Sequence, residues 1–160
     1  MLKKIIICAY MLALPALGYA SLELTTDHRS LFFGAMRLGE EKELADFGGY
    51  HNEITCRSTN GAIWYLKVNL LQPLSSGADT IPAENLSWQL TWTNGNGTKP
   101  GGAYTYKSFS LMPDLVYISG PGESAGNGIT LQFKYSLKIP EIQHSGVYNA
   151  TIRFTLTEMF

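Results

Sequence analysis

Three histidines and two cysteines are the side chains of this 160-residue chain best suited to nucleophilic, acid–base or metal chemistry. His28 follows Asp27 in TTDHRS, His51 precedes Asn52 in GYHNE, and His144 lies in EIQHSG. None has a second His or Cys at metal-ligand spacing, so the sequence predicts no metal site. Acid–base catalysis would need two of these histidines to meet a carboxylate in the folded chain, and the reading places all three in separate solvated loops. Cys56 and His51 lie five apart on one predicted strand and point to opposite faces, so they form no thiol–imidazole pair without a bulge. GPGESAGNG at 120–128 lacks the Lys followed by Ser or Thr that completes a nucleotide cradle and reads as a long hairpin loop. TNGNGT offers oxygens from Asn94, Asn96 and Thr98 in alternation, but without a carboxylate a calcium site there has too little charge. Glu40, Glu41, Glu43 and Asp46 read as a solvated surface run rather than as acids facing each other across a cleft. The expectation is a chain with no catalytic residues and no cofactor.

Aromatic residues carry the other chemistry. In LSWQLTWT, Trp88 and Trp92 stand four residues apart, roughly 13 Å along a strand, a separation suited to stacking on two sugar rings. They share a period-two face with Leu86 and Leu90, opposite Ser87, Gln89 and Thr91. A register that exposed both rings would expose both leucines as well, so the core is the favoured place for the pair, with a binding platform and a mixed arrangement as the alternatives.

The elements that must position these residues are strands. Leu86 to Trp92 alternates strictly, and so does ITLQFKYSLKI at 129–139, with Ile129, Leu131, Phe133, Tyr135, Leu137 and Ile139 on one face. AIWYLKVNL sets Trp64, Leu66, Val68 and Leu70 against Tyr65, Lys67 and Asn69, and YHNEITCRS turns Ile54 and Cys56 inward. Tyr148, Ala150, Ile152, Phe154 and Leu156 alternate near the C-terminus. Shorter candidates lie at 22–26, 31–36, 104–111 and 114–118. Gly48–Gly49, Asn60–Gly61, 73–82, 94–102, 120–128 and 140–146 separate the strands. A helical period is conceivable only in GEEKELADF, 39–47. About seven to nine one-sided strands predict an all-β fold, an antiparallel two-sheet immunoglobulin-like β-sandwich. SGVYN at 145–149 has the spacing of a tyrosine corner, in which the Tyr148 hydroxyl bonds back to the preceding turn.

The first twenty residues read as an export signal: Lys3 and Lys4, an apolar run from Ile5 to Leu17, and Gly18 and Ala20 at the small-residue positions of a cleavage site before Ser21. The run is about 13 residues where a bilayer span needs roughly 20. Losing two lysines takes the formal net charge from −1 to −3, which argues against nucleic acid as a partner. Cys8 leaves with the signal, so Cys56 has no intramolecular disulfide partner and reads as a small buried hydrophobe. Residues 21–160 then form one domain with no further transmembrane segment. Asn85, Asn96 and Asn149 head N-x-Ser/Thr sequons.

Two resemblances follow from these motifs. Trp64-Tyr65-Leu66 spells a W-x-L in AIWYLKV, and YNATIRFTL at 148–156 is similar to a closing strand, so the chain resembles WxL-type bacterial surface domains. The resemblance implies a noncovalently attached surface domain that binds the cell wall, with Trp64 and Leu66 as candidate contacts. Phe154-Thr155-Leu156 stands where that family carries a second Trp. The chain is also similar to chaperone-assembled fimbrial subunits, which are secreted single sandwiches ending on an alternating strand. That similarity implies a homo-oligomer in which SLELTT, 21–26, is donated to a neighbour's open edge. With only Leu22 and Leu24 as anchors, the segment is expected instead to complete its own sheet, and Lys134, Lys138 and Arg153 to discourage pairing along exposed edges. Together these readings describe an exported, non-enzymatic structural or adhesive domain whose partner is an envelope component or a surface protein, with Trp64, Leu66, Trp88 and Trp92 as candidate binding residues.

Overall fold

The computed structural model describes residues 21–46, 48–100 and 104–158; the export signal expected at 1–20 lies outside them. Among the described residues no helix is long and apolar enough to cross a membrane. The described residues form an antiparallel β-sandwich of eleven strands: β1 (Leu22–Thr26), β2 (Glu41–Leu44), β3 (Asn52–Ser58), β4 (Tyr65–Leu70), β5 (Leu74–Ser76), β6 (Asp79–Ile81), β7 (Leu86–Thr93), β8 (Lys107–Ser108), β9 (Asp114–Ile118), β10 (Ile129–Lys138) and β11 (Ile152–Thr157). The count exceeds the expected seven to nine because β2, β5, β6 and β8 are too short for a period to show.

The large sheet runs β1-β3-β10-β7-β8, with β2 also paired to β10; the small sheet runs β11-β4-β9; β5 and β6 form a hairpin. The dry faces meet as the alternation requires. Ile129, Leu131, Phe133, Tyr135 and Leu137 of β10 are buried opposite Leu66, Val68 and Leu70 of β4, and the Phe133 and Phe154 rings join the two sheets edge-on at 5.4 Å. Phe109 stacks on Tyr135 at 6.3 Å, and Trp64 packs against Tyr117 at 5.5 Å. The Tyr148 hydroxyl donates to the His144 carbonyl at 2.8 Å, as the tyrosine-corner spacing predicts.

Several expectations are corrected. GEEKELADF is not helical: Glu41–Leu44 pairs with Tyr135–Lys138, placing Glu41 3.0 Å from the Ser136 hydroxyl and Glu43 2.9 Å from Lys134 Nζ. Residues 31–36 form no strand, and of 104–111 only Lys107–Ser108 does. Lys134 guards no edge, because β10 is the central strand of its sheet, with β7 on one side and β3 followed by β2 on the other. Segment 21–26 does close its own sheet, in register from Leu22 opposite Ser58 to Thr26 opposite Ile54.

Cys56 is fully buried, and burial pushes its thiol up to about 12. The thiolate is the reactive form, so a thiol reagent at pH 8 is expected to leave the native protein unlabelled and to label Cys56 once urea unfolds it; rapid labelling of the native state would contradict this packing.

Candidate functional site

The site begins with one extra residue. Along β7, Leu86, Trp88 and Leu90 face the core opposite Leu137, Tyr135 and Phe133, but the register shifts between Gln132 and Phe133, so Gln132 stands opposite Trp92 and Leu131 opposite Thr93. Thr91 is the bulged residue, and its hydroxyl donates to the Gln132 carbonyl at 3.0 Å. A bulge inserts one residue and turns the following side chain to the other face. Trp88 is therefore core, 4% exposed, while Trp92 is 46% exposed on the wet face of the large sheet. The expectation of a shared face for the two rings holds for Trp88 and fails for Trp92.

Around Trp92 the wet face is aromatic and polar. Gln132, its cross-strand neighbour, donates to Glu53 at 3.1 Å. Two residues along β10, Lys134 Nζ lies 5.2 Å from the Tyr106 ring centroid and 2.9 Å from Glu43 Oε2, and the Tyr106 hydroxyl also donates to Glu43. The hydrogen bond from Tyr106, then the one from Lys134, holds the Glu43 carboxyl below its ordinary value. Burial, then Glu43, raises the Tyr106 phenol, so it stays protonated and donates. On the other edge of β7 the Tyr104 amide donates to the Leu90 carbonyl at 3.3 Å. Tyr104 has φ +70°, alone among the described non-glycine residues in the left-handed region, and its side chain is 67% exposed. A bulky residue held there is strained, and such strain concentrates at functional positions.

Comparison with known proteins finds no matching family and no matching curated sequence.

The other expected binding residues lie inside. Trp64 and Leu66 are fully buried, because the W-x-L alternates with the core face of β4; the Trp64 indole N–H donates to the Glu123 carbonyl at 3.3 Å. Tyr104 and Tyr106, two apart in AYTYKSF, were the aromatic signal within reach of the sequence, hidden in a stretch read only as a short strand.

The histidine reading is corrected at one corner. His28 and His51, expected in separate loops, have ring centroids 5.2 Å apart; His28 Nδ1 is 3.2 Å from Asp27 Oδ2 and His51 Nδ1 3.2 Å from Asp46 Oδ2. Two histidines with carboxylates in reach is the arrangement that acid–base chemistry requires. Its contacts are also those of a corner brace. Asp27 Oδ1 accepts the His28 and Glu53 amides, each at 2.7 Å, where β1 meets β3. Burial raises the Asp27 carboxyl, but the Glu53 amide and His28 outweigh it and leave it lowered. His51 Nδ1 is near Asp46 without the alignment of a hydrogen bond, and its Nε2 faces the Ser30 carbonyl at 3.4 Å. Among the described residues no group of three His, Cys, Asp or Glu could hold a metal ion. His144 stands elsewhere, exposed in an open groove with Asp79 2.6 Å away, and that hydrogen bond raises its pKa.

The two glycine-rich loops bind each other. Glu123, buried at the start of the second, accepts the Asn96, Gly97 and Gly120 amides at 2.5, 3.2 and 2.7 Å and the Tyr117 hydroxyl at 2.8 Å. Asn94 Oδ1 accepts the Thr130 amide at 2.8 Å. A methyl at Gly97 would meet the Ile118 carbonyl at 2.1 Å, so only glycine lets the loop lie this close to β9.

Proposed function

We propose that this chain is an exported, non-enzymatic domain of the bacterial cell envelope, structural or adhesive, that meets the cell wall or a partner surface protein through the wet face of its large sheet. The observation that carries the reading is Trp92, turned outward by the Thr91 bulge onto a face it shares with Tyr106, Lys134 and Glu43. Large aromatic side chains are costly to leave in water and are concentrated at binding surfaces. A densely packed core behind them keeps the face rigid, so little ordering entropy opposes binding.

Export predicts that protein recovered outside the cytoplasm begins at Ser21. The face predicts that the purified domain sediments with isolated cell envelopes, and that Trp92→Ala abolishes sedimentation while leaving circular dichroism unchanged. Full sedimentation of the variant would remove the face from the function. The pairing of β1 with β3 supports a self-complemented monomer over a strand-donating subunit. Light scattering should find one mass across concentrations.

A second reading has its own observation, the His28–His51 pair with Asp27 and Asp46. It makes this corner an acid–base site. Hydrolysis of ester or glycoside chromogens by the purified protein, lost in His28→Ala with the fold retained, would favour it; inactivity leaves the corner as a brace.

A further inference from the structure

We infer that the aromatic wet face is a subsite for a neutral oligosaccharide, with Trp92 and Tyr106 as stacking platforms and Gln132, Lys134 and Glu43 as the polar groups that take hydroxyls. The inference rests on the reading of this face as the binding surface and names its ligand class.

Three features of the face favour sugar. Its aromatic rings are offered next to hydrogen-bonding side chains, so a ligand must be apolar on its ring faces and hydroxylated around its rim, as a pyranose is. The cation of its aromatic cluster is already matched: Lys134 sits between the Tyr106 ring and the Glu43 carboxylate, so this lysine is not free to select a phosphate or an acidic peptide, and the exposed Arg57 of the same face stands four residues along β3 from Glu53, hydrogen-bonded to the Gly126 carbonyl. Its polar groups are also held in place before any ligand arrives. Gln132 is fixed by Glu53, and Tyr106 and Lys134 by Glu43. Preorganised donors and acceptors suit a ligand whose own hydroxyls are fixed in direction. Gln132 and Lys134 stand two residues apart on the same face of β10, about 6.6 Å along the strand, a spacing on the scale of one sugar ring. The pair first considered in the sequence, Trp88 with Trp92, plays no part, because Trp88 is core.

The test is isothermal titration of the exported protein, as purified, with cellohexaose, chitohexaose, xylohexaose and mannohexaose. Saturable binding of at least one is expected, weakened at least about tenfold by Trp92→Ala and by Tyr106→Ala, each the loss of one aromatic anchor. Both residues are exposed, so both variants are expected to keep the wild-type circular dichroism. Absence of binding by all four sugars overturns the inference, and so does binding that both variants retain. If the wild-type protein ignores every sugar yet sediments with envelopes through Trp92, the face docks a protein: the ligand class is then wrong while the proposed function stands. If sedimentation also fails, the proposed function falls with it.

Discussion

Trp88→Ala is expected to destabilise the domain by about 3–5 kcal/mol, the cost of deleting a large buried aromatic, whereas Trp92→Ala, four residues away on the same strand, is expected to stay within about 0.5 kcal/mol of wild type. The contrast follows from the bulge. Trp88 packs against Phe133 at 6.1 Å with Lys107 Nζ 5.5 Å from its ring centroid, so truncation leaves a cavity between the sheets. The Trp92 side chain crosses to the wet face and leaves no cavity behind. Trp88→Phe should cost much less than Trp88→Ala. It keeps most of the ring, and it removes an indole N–H that is buried without a hydrogen-bond acceptor, a group whose loss relieves a desolvation penalty. Urea unfolding of the three variants measures all of this; equal losses in Trp88→Ala and Trp92→Ala would place the two rings on one face after all.

The second large effect belongs to Glu123. Its carboxylate gathers three backbone amides and the Tyr117 phenol in a buried position between β7, β9 and β10. Burial, then the hydrogen bond to Glu123, raises the Tyr117 phenol, so it remains a donor. Glu123→Ala strands the Asn96 and Gly120 amides and the Tyr117 hydroxyl at once, while the Gly97 amide keeps the Tyr117 oxygen 2.7 Å away as acceptor. Each buried donor left unsatisfied costs about 1–3 kcal/mol, and water entering the vacated space recovers part of that, so a total loss of about 3 kcal/mol is expected. Glu123→Gln keeps one acceptor oxygen but turns an amide group toward a donor, and should fall between alanine and wild type. Hydrogen exchange gives a local readout: the Asn96 and Gly120 amides, whose acceptor is the carboxylate, should lose protection in Glu123→Ala. A variant as stable as wild type, with those amides still protected, would show that the loops hold each other by other means.

What the sequence made legible and what it hid divide along physical lines. Where a strand carries no extra residue of its own, its period declares its buried face, and β4 and β10 bury the residues their alternation names although their registers against β9 and β7 shift. The bulge at Thr91 had no such sign. It is neither a glycine nor next to a proline, and it exists only as a mismatch between two strands about forty residues apart in sequence, so Trp92 could not be assigned from β7 alone. The same holds for Glu123. NGNGT and GPGES each read as an independent turn, and no local pattern says that an acid in one will accept amides from the other. The histidine pair was closer to hand. Once Thr26 stands opposite Ile54, antiparallel pairing carries His28 to the neighbourhood of His51; the pairing of β1 with β3, rather than any motif, was the missing step. The short strand β2 was missed because four residues, two of them glutamate, are too few to separate a strand from a helical turn.

Residue-level hydroxyl-radical footprinting of the native protein tests the central claim most directly, because it reports the exposure of Trp64, Trp88 and Trp92 in one experiment. The account predicts rapid modification of Trp92, with Trp64 and Trp88 protected until the protein unfolds. Comparable modification of Trp88 and Trp92, whether both fast or both slow, would contradict the bulge, the outward aromatic face and the binding function built on it.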